Sequence, residues 1–560
     1  MERNEIIAAL KESPEIDALI IGGGINGAGT FLDMAANGLK VLLIDRGDFC
    51  SGASATSSHM AHGGIRYLEN GEFRLVREAV AERNRMIRNS PHMVKPLPTV
   101  IPMFKVFSGL LNAPLKFLNL LDRPSERGAL VIKIGLILYD SFTGKTRTVP
   151  AHRFYGKKET FQRFPRLNKD VIYTAEYYDG LILSPERLNS EVIFEAEKIC
   201  PTAMALNYVS LNGYENNEIV LEDHVAHRMV TVKPKVIING AGPWIDDVNK
   251  RIGVQTKYIG GTKGSHIIVN NPELKTAIGN HEIFFENKDG RIVLLLPFFD
   301  KVIIGTSDLP IANPDEAFCT PEEVTYFIDL VKRVFPDIPI LPEQIVFRFS
   351  GVRPLEFQQA KTTGQISRDH SIREDRVADI PLLSLVGGKW TSYRAFGEQV
   401  GSRTLEILGR TRTNRTEEMK IGGGANYPKA GEEEENYLKK ITQEHPQDLD
   451  LVRILFERYG TLVEGILSHC GSGPLRTLKT NPKITEDELR YFASYEKVIH
   501  LDDLLLRRTS IGWLGLIDEP SLEEIAGIVA SEMKWDEALK NSEIDRVKEI
   551  FQKNHSLVIN

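Results

Sequence analysis

The chain has 560 residues, 42% of them hydrophobic and 26% charged, with a formal net charge of −7 from 69 basic and 76 acidic side chains. This is ordinary globular composition, and the length offers roughly three or four domains at about 100–200 residues each. A nucleic-acid binder would show a basic balance, and the four cysteines (Cys50, Cys200, Cys319, Cys470) form no CxxC pair, so neither nucleic acid, nor a disulfide framework, nor a metal site is expected.

Residues 1–15 are polar with charges of both signs, unlike a secretory signal. Residues 17–21 read as a short buried strand. A glycine-rich turn follows, then a helix over 28–37 stopped by Gly38, then a second apolar strand over 40–45. This β-turn-α-β order opens a doubly wound α/β domain. Residues 72–89 carry apolar side chains at 75, 76, 79, 80, 86 and 87, which is helical spacing. No apolar run reaches the roughly 18 residues of a spanning helix. The nearest, 101–121, is broken by Lys105, Asn112, Pro114 and Lys116; it suits a segment lying on a membrane rather than crossing it.

Further parallel-type strands are expected at 236–239 and 382–386. Between them, 266–269, 282–286, 291–299 and 301–305 read as an antiparallel sheet, with Asp289-Gly290 as a hairpin turn. Residues 1–90, 180–255 and 345–400 are therefore assigned to a discontinuous nucleotide domain. Residues 91–179 and 256–344 form an inserted cap. Residues 401–560, after a glycine-rich linker and the acidic run 432–435, form a helical C-terminal domain.

Gly22, Gly24 and Gly27, with Ile25 and Asn26 between them, match GxGxxG between a strand and a helix. The first glycine permits the tight turn, the second lets backbone approach a diphosphate, and the third lets helix and strand pack closely. Asp45, ending the second strand, is placed to bind a ribose hydroxyl. This unit alone allows NAD or FAD. The hydroxyl-rich loop 53–66 and glycine turns at 239–244 and 386–389 give a large cofactor a second half to bind, which favours FAD.

The segments IGGGINGAG, TSS, HGGIRYLE with EFRLVREA, NGAGPW, KGSHIIV, IIGTSD, SGVRP, ISRD and GGKWTSYR occur in this order, followed by LDDLLLRRT at 501–509. In them the chain resembles the FAD-dependent glycerol-3-phosphate dehydrogenases, from about residue 17 to 394 and again near 501–509. The resemblance implies an FAD-binding doubly wound domain of the glycine-oxidase and glutathione-reductase type, an inserted antiparallel-sheet cap and a helical C-terminal domain. It implies oxidation of sn-glycerol 3-phosphate to dihydroxyacetone phosphate, with electrons passed to a membrane quinone. By position it sets Arg46, Thr56, Ser57, Ser58, His62, Gly63, Gly64, Val209, Ala241, Gly242, Trp244, Asp308, Gly388, Lys389, Trp390 and Thr391 along the cofactor, with Gly22–Gly27 and Asp45.

The same resemblance groups a basic set: Arg66, Lys263, His266, Arg353, Arg368 and Lys389. Alcohol oxidation needs a hydride acceptor and a base, and histidine has the suitable unperturbed pKa, about 6.5. His266 is the expected base. Arg353 and Lys389 are expected to polarise the hydroxyl and steady the developing alkoxide. Arg66, Tyr67, Lys263 and Arg368 are expected to bind the substrate and its phosphate, since arginine offers paired hydrogen bonds to it. With a lipid-soluble acceptor, attachment would be monotopic, on the cytoplasmic face of the cell membrane, through 110–121 and 129–138. Three alternatives stay open: an oxidase handing electrons to O2, an NAD-dependent dehydrogenase, and a non-catalytic FAD-bound sensor or scaffold. The oligomeric state, a homodimer among the options, is also open.

Overall fold

The computed structural model describes residues 1–68, 72–106, 129–143, 148–287, 292–357, 369–445, 447–471 and 473–560. The Asp289-Gly290 turn, most of the 101–121 stretch and Arg368 lie outside them, as does the side chain of Arg66.

The apolar run Glu15–Ile21 is buried from its second residue onward, as a central parallel strand must be. It lies in a sheet ordered Ser371–Val377, Ile380–Val386, Arg228–Asn239, Glu15–Ile21, Val41–Ile44, Ala203–Leu206. All neighbours in it are parallel except the Ser371–Val377 edge strand. The helix Ile25–Ala36 packs against helices Pro185–Ile199 and Tyr393–Ile407. Arg228–Asn239 is long enough to serve two partners. Its first half closes an antiparallel meander with Val209–Glu215 and Glu218–Asp223, and its second half enters the parallel sheet.

The second sheet runs Leu309–Pro310, Thr262–Val269, Lys301–Gly305, Ile292–Phe298, Glu282–Glu286, Val94–Met103, Tyr173–Ile182, Met60–Ala61. Its pairs are antiparallel apart from Glu282–Glu286 with Val94–Met103. Alternation divides its faces. Ile268, Leu294, Leu296, Phe298 and Ile303 join the core shared with the nucleotide domain and the C-terminal helices. Ile267, Val269, Val293, Leu295, Val302 and Ile304 pack on the other side, with helix Pro321–Val334.

One boundary drawn from the sequence moves. Ile345–Arg353 was grouped with the nucleotide domain, but it pairs with Thr262–Val269 over nearly its whole length and so belongs to the second sheet. Helices dominate after residue 431, from Glu432–Glu444 to Glu537–His555. Among the described residues, no helix is long and apolar enough to cross a membrane.

Candidate active site

The glycine turn is built by close approach. Gly22 has φ +107°, and a Cβ on Gly27 would fall 1.9 Å from the Gly22 carbonyl oxygen. Strand and helix can meet here only without side chains. Gly24 is the N-cap of helix Ile25–Ala36 and offers no capping side chain, nor does the first turn carry an acid. A bare helix N-terminus of this kind favours an anion. The Asp45 carboxylate accepts from the backbone N–H of Gly23 at 2.7 Å and of Gly47 at 2.9 Å, and burial raises its pKa to about 6.

Three other segments converge on this turn. Ser54 Oγ accepts from the Ile25 N–H at 3.0 Å, and the Ser54 carbonyl accepts from Trp390 Nε1 at 2.8 Å. Asn26 Nδ2 donates to the Gly387 carbonyl at 3.0 Å, and Thr391 Oγ1 to the His62 carbonyl at 3.1 Å. A Cβ on Gly22 would lie 2.6 Å from the Gly240 carbonyl oxygen, which brings in the 239–244 turn ending at Ala241, Gly242 and Trp244. Gly63 donates its N–H to Asp179 at 2.9 Å, and Gly64, at φ +74°, lies under the Tyr67 ring. Gly388 is equally tight against Asn26.

The second sheet supplies the opposite wall. In its register Thr262 faces Arg353, Gly264 faces Gly351, and His266 faces Phe349, all on one side of the sheet. His266 is buried, stacks on Phe349 with ring centroids 4.7 Å apart, and places Nε2 2.9 Å from Ser58 Oγ. Its Nδ1 is buried with no hydrogen-bond partner among the described residues. Burial, then the charge of Arg353, hold its pKa well below the usual imidazole range, so the ring is neutral. The Arg353 guanidinium crosses over Gly264 and donates to Asp308 Oδ1 at 3.1 Å and Thr306 Oγ1 at 2.9 Å. Gly351 leaves room for Thr56.

Lys389 follows the glycine turn at 387–388 and faces Tyr67. Its ammonium is buried without a hydrogen-bond partner among the described residues, 4.0 Å from the centroid of the Tyr67 ring. A buried, unpaired cation is costly and calls for an anion.

Lys263 departs from expectation. Strand alternation turns it away from His266, and its ammonium is taken by Glu323 at 2.8 Å and the Phe318 carbonyl at 2.7 Å. It forms an interior ion pair on the face of the sheet opposite His266. Arg46 and Trp244 stack on each other at 4.4 Å and both engage the exposed carboxylate of Asp315, so they form an outer rim. Val209 contributes backbone, donating its N–H to the Asp45 carbonyl at 2.7 Å. Ser57 Oγ accepts from the His59 N–H at 3.3 Å and shapes the loop.

Sequence reasoning passed over Ser54, Phe349 and Asn189. Ser54 lay inside the loop already singled out. Phe349 carried a signal, two residues before Gly351 on one strand face. Asn189 Nδ2 holds the Gly23 carbonyl at 2.9 Å from a distant helix, and nothing local marks it.

A dinucleotide fits these residues. The diphosphate has the bare helix N-terminus and glycine turn, the ribose has Asp45, and the unpartnered Asn26 Oδ1 and Lys389 Nζ await polar partners along the remaining length. Comparison with known proteins agrees. A family model described as FAD dependent oxidoreductase matches residues 17–377, and one described as the C-terminal domain of alpha-glycerophosphate oxidase matches 414–540. A glycerol-3-phosphate dehydrogenase of Synechocystis sp. is 32% identical, over 97% of this chain and 99% of its own length. The aerobic glycerol-3-phosphate dehydrogenase of Staphylococcus haemolyticus is 29% identical, over 90% of this chain and 88% of its own. The crystal structure of a Bacillus halodurans glycerol-3-phosphate dehydrogenase complexed with FAD shares the fold, with TM-score 0.76 at 22% identity over 99% of this chain and 97% of that one. The chain therefore belongs to the FAD-dependent glycerol-3-phosphate dehydrogenase family, and its cofactor is FAD.

Proposed function

We propose that the chain oxidises sn-glycerol 3-phosphate to dihydroxyacetone phosphate and passes the electrons to a membrane quinone. The observation that carries this reading is the Lys389 ammonium, buried beside a glycine turn with no hydrogen-bond partner among the described residues, together with the neutral, buried His266 of the second sheet. FAD, when bound, supplies the acceptor for the hydride leaving the alcohol carbon. His266 takes the hydroxyl proton; its ring plane is fixed by Phe349 and its Nε2 by Ser58. Lys389 and Arg353 steady the negative charge that grows on the oxygen, from positions already set before substrate arrives. Arg66, Tyr67 and Arg368 hold the phosphate, Tyr67 through its hydroxyl while its ring faces Lys389. Curated relatives that carry the name glycerol-3-phosphate dehydrogenase support the substrate.

The test is anaerobic titration with glycerol 3-phosphate while following flavin bleaching, then reoxidation by a soluble quinone analogue or by O2. Bleaching followed by fast quinone reoxidation is expected. No bleaching overturns the substrate, and stoichiometric hydrogen peroxide with slow quinone turnover makes the protein an oxidase.

Helix Ala129–Thr143 supports a surface attachment. Leu130, Ile134, Ile137 and Leu138 share one face and are 38–52% exposed, while Leu136 and Tyr139 are buried beneath. We assign this face to the inner surface of the cell membrane. Ile134→Glu with Ile137→Glu should abolish flotation with anionic vesicles; flotation equal to wild type refutes the assignment.

A further inference from the structure

The LDDLLLRRT stretch brings two adjacent arginines out of the C-terminal domain. Arg508 is fully buried and Arg507 nearly so. Both reach the same carboxylate, Asp48, 459 and 460 residues away in sequence. Arg508 binds it two-handed, Nη1 to Oδ2 at 2.7 Å and Nη2 to Oδ1 at 3.0 Å, and Arg507 Nε adds a bond to Oδ2 at 2.6 Å. Asn207 Nδ2 donates to Oδ1 at 2.8 Å. The remaining charges are accounted for. Arg507 Nη2 also donates to Asp502 at 2.6 Å and Asp503 at 2.7 Å, and Arg546 Nε donates to Asp502 at 2.8 Å. Burial opposes the ionisation of Asp48, but Arg508 and Arg507 outweigh it and hold the carboxylate well below its usual range.

Asp48 stands in the middle of the short loop 45–50 that leaves the second parallel strand. Both ends of that loop grip one residue of the glycine turn, Gly23, through the two peptides that flank it. Asp45 Oδ2 accepts from the Gly23 N–H at 2.7 Å, and the Cys50 N–H donates to the Gly23 carbonyl at 3.1 Å. The neighbouring strand adds a second tie to the same loop. Tyr208 N–H donates to the Gly47 carbonyl at 2.8 Å, while its hydroxyl donates to Asp503 at 2.6 Å. An ion pair meant only to join two domains could sit anywhere on their shared surface. This one has its acid inside the cofactor loop. Paired arginine bonds also fix orientation in a way that apolar contact does not. Asp48 left without its arginines would place an uncompensated negative charge in the loop next to Asp45 and the diphosphate seat.

We infer that Arg507 and Arg508 are positioning residues for the cofactor: through Asp48, the C-terminal domain sets the 45–50 loop and holds the Asp45 carboxylate and Gly23 peptide where the ADP half of FAD binds. This gives the C-terminal domain a task in the nucleotide site, exerted through Asp48.

The experiment compares Asp48→Asn, Arg508→Gln and Arg508→Lys with wild type after removal and titration of FAD, reading the dissociation constant by flavin fluorescence. Asp48→Asn and Arg508→Gln should weaken FAD by about tenfold or more, with Arg508→Lys partly restoring it, because one member of a buried pair has been removed in each. At saturating FAD, the KM for glycerol 3-phosphate and the flavin absorption bands should stay at wild-type values. Arg490→Gln, which breaks the Arg490–Glu532 pair inside the C-terminal domain, is the control and should leave FAD binding unmoved. If Arg508→Gln fails to fold, the near-isosteric Asp48→Asn decides. FAD affinity within about twofold of wild type in Asp48→Asn overturns the proposal, as does an equal loss in Arg490→Gln. The fluorescence reading does not depend on which substrate the protein takes.

Discussion

Replacing Lys389 by methionine should make the substrate-free protein more stable and the enzyme worse. The side chain keeps its length and loses its charge. In the wild type the ammonium has no hydrogen-bond partner among the described residues and only the Tyr67 ring, 4.0 Å away, to offset its burial. Taking an ion out of water costs several kcal/mol, and a desolvated ring contact returns about 2 kcal/mol, so the substitution should stabilise by about 1–3 kcal/mol. A chain of this length shifts its melting temperature by only about 1 °C per kcal/mol, so urea unfolding of the FAD-free protein is the better assay. The opposite sign appears in catalysis. Losing one charge-assisted hydrogen bond to substrate costs about 1.5–3 kcal/mol, which is roughly 10- to 150-fold in kcat/KM. A methionine variant that is less stable than wild type and keeps its kcat/KM would show that the ammonium is neither strained nor used.

Lys263→Met should behave in the opposite way: it strands the buried Glu323 carboxylate, so it should destabilise by about 3–5 kcal/mol in the same urea assay and leave the KM for glycerol 3-phosphate unchanged. A KM raised tenfold at normal stability would return Lys263 to the substrate site. His266→Gln keeps a neutral hydrogen-bonding side chain but cannot take a proton, so flavin reduction at saturating substrate should fall by about 10²–10⁴-fold and lose its acid limb. Because the folded pKa of His266 is depressed, the ring stays unprotonated as pH falls through 6.5, and wild-type kcat/KM should show no His266 inflection there. A variant that keeps the wild-type pH profile removes His266 as the base.

The legible parts of this fold are the local ones. Residues 17–45 announce strand, turn, helix and strand within one stretch of chain, and the structure keeps that order with the first strand starting at Glu15, the helix at Ile25 and the second strand spanning Val41–Ile44. The strands of the second sheet were equally plain from 266 to 305. Pairing between distant strands was not. Ile345–Arg353 carries no mark of its partner, so the boundary at 345 fell on the wrong side. Lys263 was misplaced for a different reason. Its motif put it near His266, yet the two differ by an odd number along one strand, and period-two alternation already sets them on opposite faces. Asn189 and the Asp48–Arg508 pair depend on contacts across 166 and 460 residues, beyond any local pattern.

The described residues of the site carry a positive excess, and this bears on the proposal that His266 is the base. Among the described residues, Asp308 offsets Arg353, His266 is neutral, and the Lys389 ammonium has no hydrogen-bond partner. A histidine ionising well below 6.5 is a poor proton acceptor, and its depression comes from burial and from Arg353. A phosphate charge bound close to the ring favours its protonated form and so pushes its pKa back upward. The substrate thus neutralises the excess and raises the basicity of His266 in one step. In the empty site burial and Arg353 hold the ring neutral; in the complex the substrate's charge moves its pKa upward, in the direction in which a general base becomes more effective. The same arrangement selects for a charged substrate, because a neutral polyol of equal shape would leave Lys389 unpaired and His266 too weak to accept the proton.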